Sequence, residues 1–93
     1  MDEMDKKALA VVRWWIGKNL GPGLPDYQEF ITWKAKILQN WKYMIATTIP
    51  GYYFEATYNG NYREWYLDVY QKAKNQKFMD VTVDAEIVRK VGL

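Results

Sequence analysis

The stretch EFITWKAKILQNWKYMIATTIPGYYFEATYNGNYREWYLDV, residues 29–69, decides the fold. Four runs rich in β-branched and aromatic residues follow one another in it, parted by short turn-forming segments, which is the pattern of antiparallel strands joined by hairpins. Strands are expected at about 29–37, 41–49, 52–58 and 62–69. Side chains alternate between the two faces of a strand, so a turn is acceptable only if it leaves the apolar residues of both neighbours on one side. The first run alternates Ile31, Trp33, Ala35, Ile37, and the second Trp41, Tyr43, Ile45, Thr47, Ile49. A two-residue turn sets these out of phase. A three-residue loop, Leu38-Gln39-Asn40 with Asn40 left-handed, brings Ile37 opposite Trp41 and Trp33 opposite Ile45. Pro50-Gly51 suits the centre of a type II turn and sets Thr47 against Phe54. Asn59-Gly60 is a hairpin signal that sets Phe54 against Trp65. All three turns give one inner face, with Trp33, Trp41 and Trp65 in the core.

The flanks add helices. Met4, Ala8, Val11, Val12, Trp15, Ile16 and Leu20 form a helical stripe over residues 2–20, with Asp2, Glu3 and Asp5 where the helix dipole favours anions. Gly21 offers a left-handed cap and Pro22 a stop. Residues 70–91 read as a C-terminal helical segment: a lysine-rich helix continuing from the fourth strand, a connector over 78–83, and a short helix with Ile87, Val88 and Val91 on its apolar side. The fold class is therefore α+β, a single domain over 1–93 with an N-terminal helix packed on a four-stranded antiparallel β-meander and one or two short C-terminal helices.

Composition narrows the chemistry. A chain of 93 residues has much surface for its volume, and five Trp, eight Tyr and three Phe supply the large rings that compensate. The absence of Cys and His removes disulfides, the usual zinc and haem ligands and the Ser-His-Asp triad. No cofactor is expected, and no nucleotide loop or hydrolase motif occurs. A net charge of +2 is too balanced to name a partner. No apolar run is long enough for a membrane span, and the acidic N-terminus is unlike a signal peptide, so a cytoplasmic location is expected.

The outer face of the predicted sheet holds the candidate sites. Lys34, Lys36 and Lys42 lie there beside Met44, Tyr53 and Tyr66, with Tyr62 at the start of the fourth strand. Bases mixed with rings can stack nucleobases and hold phosphates, although Glu55, Glu64 and Asp68 share the face. Glu55 opposite Glu64, with Asp68 further along, would make an acid/base pair or a divalent-ion site, as in a small-ligand binder or minor enzyme; two carboxylates splayed into water is the plainer reading. Trp14 falls off the helical stripe. It reads as packed against the Gly21–Pro25 loop, with an exposed interface anchor as the alternative.

Leu38-Gln39-Asn40, Lys42, Thr47-Thr48, Tyr52-Tyr53, Thr57-Tyr58-Asn59-Gly60, Glu64, Tyr66, Asp68, Tyr70 and Lys72 resemble a family of small proteins of unknown function encoded by phages and prophages of Gram-positive bacteria. The resemblance spans about Ile31 to Lys72 and carries no catalytic signature. It implies an accessory product acting in the host cytoplasm. The leading expectation is a non-enzymatic protein that binds a host or defence component as an inhibitor, either through the outer face or through Trp14. A homodimer pairing outer faces and a nucleic-acid-binding protein are the alternatives.

Overall fold

Asp2 opens the first helix: its backbone is extended, and its carboxylate accepts the Asp5 amide at 2.8 Å. That satisfies one of the N–H groups a first turn leaves unpaired. The computed structural model describes residues 1–21, 23, 24 and 26–92. It runs as α1 (Glu3–Asn19), β1 (Glu29–Ile37), β2 (Asn40–Thr47), β3 (Tyr52–Asn59), β4 (Glu64–Gln71) and a terminal helical segment. Gly21, with φ of 72°, follows the helix end in the left-handed region. The stop expected at Pro22 lies outside the described residues, as do Pro25 and Leu93.

The strands form one antiparallel sheet in the order β1-β2-β3-β4, with α1 on one face, as the sequence predicts. Ala8, Leu9, Val12 and Ile16 of α1 bury against Tyr43, Ile45, Ile49, Phe54 and Ala56. Trp15 sets its ring edge against Phe54, with centroids 5.7 Å apart. Trp41 and Trp65 face the helix as expected.

The registers differ from expectation in an instructive way. Ile45 opposes Phe54, a slip of two residues, because residues 48–51 form a longer loop; within it Gly51 keeps the positive φ, 89°, that a type II turn asks of its glycine. Phe54 opposes Val69, a slip of four, because Gly60–Arg63 form the loop after β3. Both slips are even, so β2, β3 and β4 keep their faces. The Asn59-Gly60 pair does not make a two-residue turn. Asn59 accepts the Asn61 amide, Asn40 accepts the Gly60 amide, and a Cβ on Gly60 would run into Gln39 of the neighbouring hairpin.

β1 breaks the pattern. Its hairpin is the two-residue loop Leu38-Gln39, with Ile37 opposite Asn40, and Leu38 rather than Asn40 takes the left-handed conformation, at φ of 58°. The phase error this creates is undone by a bulge at Thr32, between the Ile31–Ile45 and Trp33–Met44 pairs. Residues 33–37 are therefore inverted relative to expectation. Trp33, Ala35 and Ile37 lie on the outer face, while Lys34 and Lys36 turn to the helix side opposite Tyr43 and Trp41.

There the sheet meets a carboxylate. Asp5, buried on α1, accepts the Tyr43 hydroxyl at 2.8 Å and both its oxygens accept the Lys34 ammonium, at 3.1 and 3.2 Å. The Lys34 and Lys36 ammoniums also lie 5.9 and 5.4 Å from the Trp41 ring centre. Burial opposes ionisation of Asp5, but the hydrogen bonds from Tyr43 and Lys34 outweigh it and hold the carboxyl below its ordinary value. On the other side Arg13 Nε donates to Glu29 Oε1 at 2.8 Å, tying α1 to the start of β1.

β4 ends at Gln71, and residues 72–79 are exposed and irregular, so the helix expected from residue 70 does not form. The terminal segment begins with α2 (Asp80–Thr82), passes through a π-helical stretch (Val83–Val88) and closes with α3 (Arg89–Val91). None of it comes within 8 Å, Cα to Cα, of α1 or the sheet. The radius of gyration is 17.4 Å, against about 12 Å for a compact chain of this length.

Relieving the left-handed strain by Leu38→Asn raises stability by about 1 kcal/mol in urea denaturation, because leucine carries the Cβ penalty and asparagine tolerates it. Tyr43→Phe leaves a buried carboxylate short of a donor and costs about 1.5–3 kcal/mol. The Asp5 contribution is complete above the unfolded carboxylate value, about pH 3.9, and is lost as pH falls through the lowered folded value. Asp5→Asn accordingly flattens the acid side of the stability–pH curve.

Candidate functional site: the open face of the sheet

The face of the sheet opposite α1 is covered by no other element among the described residues. Because of the Thr32 bulge it carries Phe30 and Trp33, each 48% exposed, and Ile37, together with Met44, Ala46, Tyr53, Tyr66 and Tyr70. The Thr32 hydroxyl donates to the Met44 carbonyl at 3.1 Å and lies 3.0 Å from the Tyr53 hydroxyl, fixing the bulge against this face. Trp33, Ala35, Ile37, Lys42 and Thr57 line a shallow depression of about 270 Å³.

Polar groups on this face are largely paired with one another. Lys42 lies 2.6 Å from Glu55, and the Tyr70 hydroxyl donates to the same carboxylate at 3.2 Å. The Lys42 hydrogen bond lowers the Glu55 pKa against the effect of burial, and Glu55 raises that of Lys42. Tyr66 donates to Glu64, which raises the tyrosine pKa. These pairings hold the side chains of the face to one another.

The expected site residues are thus partly regrouped. Lys42, Met44, Tyr53 and Tyr66 lie on the open face as expected. Lys34 and Lys36 do not: the bulge sends them to the helix side, where Asp5 and Trp41 take their charges. Glu55 and Glu64 are not opposite one another; Glu55 faces Asp68 and Glu64 faces Asn59, because the β3–β4 loop is longer than a two-residue turn. Tyr62 sits in that loop, 72% exposed and off the strand. Trp14 is 64% exposed on α1, and Pro22 and Pro25 of the Gly21–Pro25 loop lie outside the described residues. Trp33, Ala35 and Ile37, taken as core, are the residues that alternation misassigned. The one signal for them is the pair Lys34 and Lys36, which alternate with Trp33 and Ala35 and have acids available on α1.

A larger concavity of about 730 Å³ lies between α1 and residues 26–30, bordered by the Arg13–Glu29 pair. Within it Glu29 Oε2 is buried without a donor, the one such side-chain atom among the described residues. No cluster of three acidic residues placed to hold a metal ion occurs among the described residues, and no helix among them is long and apolar enough to cross a membrane.

A helix on a four-stranded meander, with one face closed by the helix and the other open, mixed and aromatic, defines a small α+β domain. The chain belongs to the family of unknown function DUF6275, whose model matches residues 5–80. The match takes in α1 from Asp5 and all four strands, more than the 31–72 segment that carries the resemblance, and stops where the terminal helix begins. No curated protein and no solved structure matches the chain.

Proposed function

We propose that the chain is a non-enzymatic binding protein that engages a protein partner through the open face of its sheet. The observation that carries this reading is the apolar surface around Trp33, flanked by Phe30, Ile37 and Met44 and left uncovered among the described residues. Exposed apolar surface with a polar margin is characteristic of protein contact sites; here the Lys42–Glu55–Tyr70 cluster forms that margin. The finer context, a phage or prophage product that binds and inhibits a host or defence component in the host cytoplasm, rests on the resemblance of residues 31–72 alone.

Nucleic-acid binding is the weaker reading. Of the three lysines that would hold phosphates, Lys34 and Lys36 face α1 and Lys42 is paired with Glu55, while Glu64 and Asp68 add negative charge to the open face. A small-ligand site built on Glu55 and Glu64 has no geometric basis, since the two are not paired.

Capture from a Gram-positive host lysate with wild type, Trp33→Lys and Trp14→Lys separates the surfaces. The expected result is a protein retained by wild type and Trp14→Lys and lost with Trp33→Lys, at unchanged urea midpoints. Loss with Trp14→Lys alone moves the site to the helix. Retention of only nucleic acid, in a manner that collapses between low and physiological salt, replaces the reading with the alternative.

A further inference from the structure

The two edges of the sheet are built differently. β1 carries the Thr32 bulge and the inward-turned Lys34 and Lys36, features that blunt an edge against pairing with other chains. β4 has none of them: its eight residues, Glu64–Gln71, pair with β3 without a shift in register and contain neither proline nor lysine. Nothing among the described residues pairs with its far side.

The direction of its free groups can be read from the ladder. Lys72 N donates to Gly51 O at 2.8 Å, continuing the β3–β4 pairing one residue beyond Tyr52–Gln71. Backbone groups alternate sides along a strand, so Tyr66, Asp68 and Tyr70 direct theirs to β3, while Trp65, Leu67 and Val69 direct theirs to the open edge.

We propose that β4 pairs antiparallel with β4 of a second copy, about a two-fold axis at Leu67, to give a dimer with a continuous eight-stranded sheet. A two-fold interface opposes each residue to a partner on the same strand, and hydrogen bonding between odd-numbered residues limits the register to those centred on a single residue. Centring on Tyr66 sets Glu64 against Asp68 twice, and centring on Asp68 sets that carboxylate against itself; like charges so placed repel. Centring on Leu67 sets Asp68 against Tyr66 and Glu64 against Tyr70, so every carboxylate of the strand meets a phenol. On the helix side it sets Trp65 against Val69 and Leu67 against Leu67. This register also uses nearly the whole strand. It does not rest on the partner-binding role proposed above, but it would double the open face.

The chain without substitutions and two variants at Tyr66, which is half exposed on the open face, test it by sedimentation equilibrium. Wild type is expected to be a reversible dimer, with the amides of Leu67 and Val69 slowed in hydrogen exchange at high protein concentration. Tyr66→Lys places a cation opposite Asp68 at two symmetric positions and tightens the dimer by about tenfold, whereas Tyr66→Glu weakens it by a similar factor. A chain monomeric through the high micromolar range overturns the proposal. So does a dimer that ignores both substitutions or leaves the Leu67 and Val69 amides unprotected, or one that Tyr66→Lys weakens.

Discussion

The extra residue at Thr32 governs the rest of the molecule. It absorbs the phase error of a two-residue hairpin, so that Ile31 stays in the core while the strand beyond it is inverted. Inversion brings Lys34 to the helix side, where Asp5 accepts it together with the Tyr43 hydroxyl. A carboxylate this buried is tolerable only when its lone pairs are met, and here the N-terminus of α1 and the centre of the sheet meet them jointly. The same bulge decides which side of β1 carries rings and which carries bases. Core composition, helix attachment and the character of the open face thus depend on one local irregularity.

The open face follows from this. With Lys34 and Lys36 removed it is no longer a basic surface; with Trp33, Ala35 and Ile37 added it becomes apolar along β1 and β2 and polar along β3 and β4. Its charges are partly satisfied within the face, where Lys42 and the Tyr70 hydroxyl both meet Glu55. The terminal helix stands apart from the family-defining part of the chain and from the sheet, so it neither closes this face nor contributes to the core.

Much of the architecture was legible in residues 29–69. Alternation placed all four strands within a few residues, and the faces of β2, β3 and β4 survived registers that were slipped by two and four positions, because an even slip leaves a side chain on its own side. The candidate site was less legible for the same reason. A slip of one residue inverts a strand, and in β1 the turn length and the bulge each contribute one. Trp33 looked like core because large rings are usually buried. Lys34 looked like a residue of the outer face because lysine usually points away from a helix-covered side; only a partner 29 residues away on α1 makes its position intelligible. The carboxylate pair failed because cross-strand neighbours depend on loop length, and Asn59-Gly60 owes its form to the packing of Gly60 against Gln39 on the adjacent hairpin.

By itself the sequence determined the order of the first helix and the four strands, the antiparallel meander and the ring-rich core, since these follow from local propensity and periodicity. Only the tertiary structure decided the register, the Thr32 bulge, the Asp5–Tyr43–Lys34 cluster and therefore which residues lie on the open face. Those are settled by contacts between segments distant in the chain, where satisfying one buried carboxylate outweighs the simple alternation of a strand.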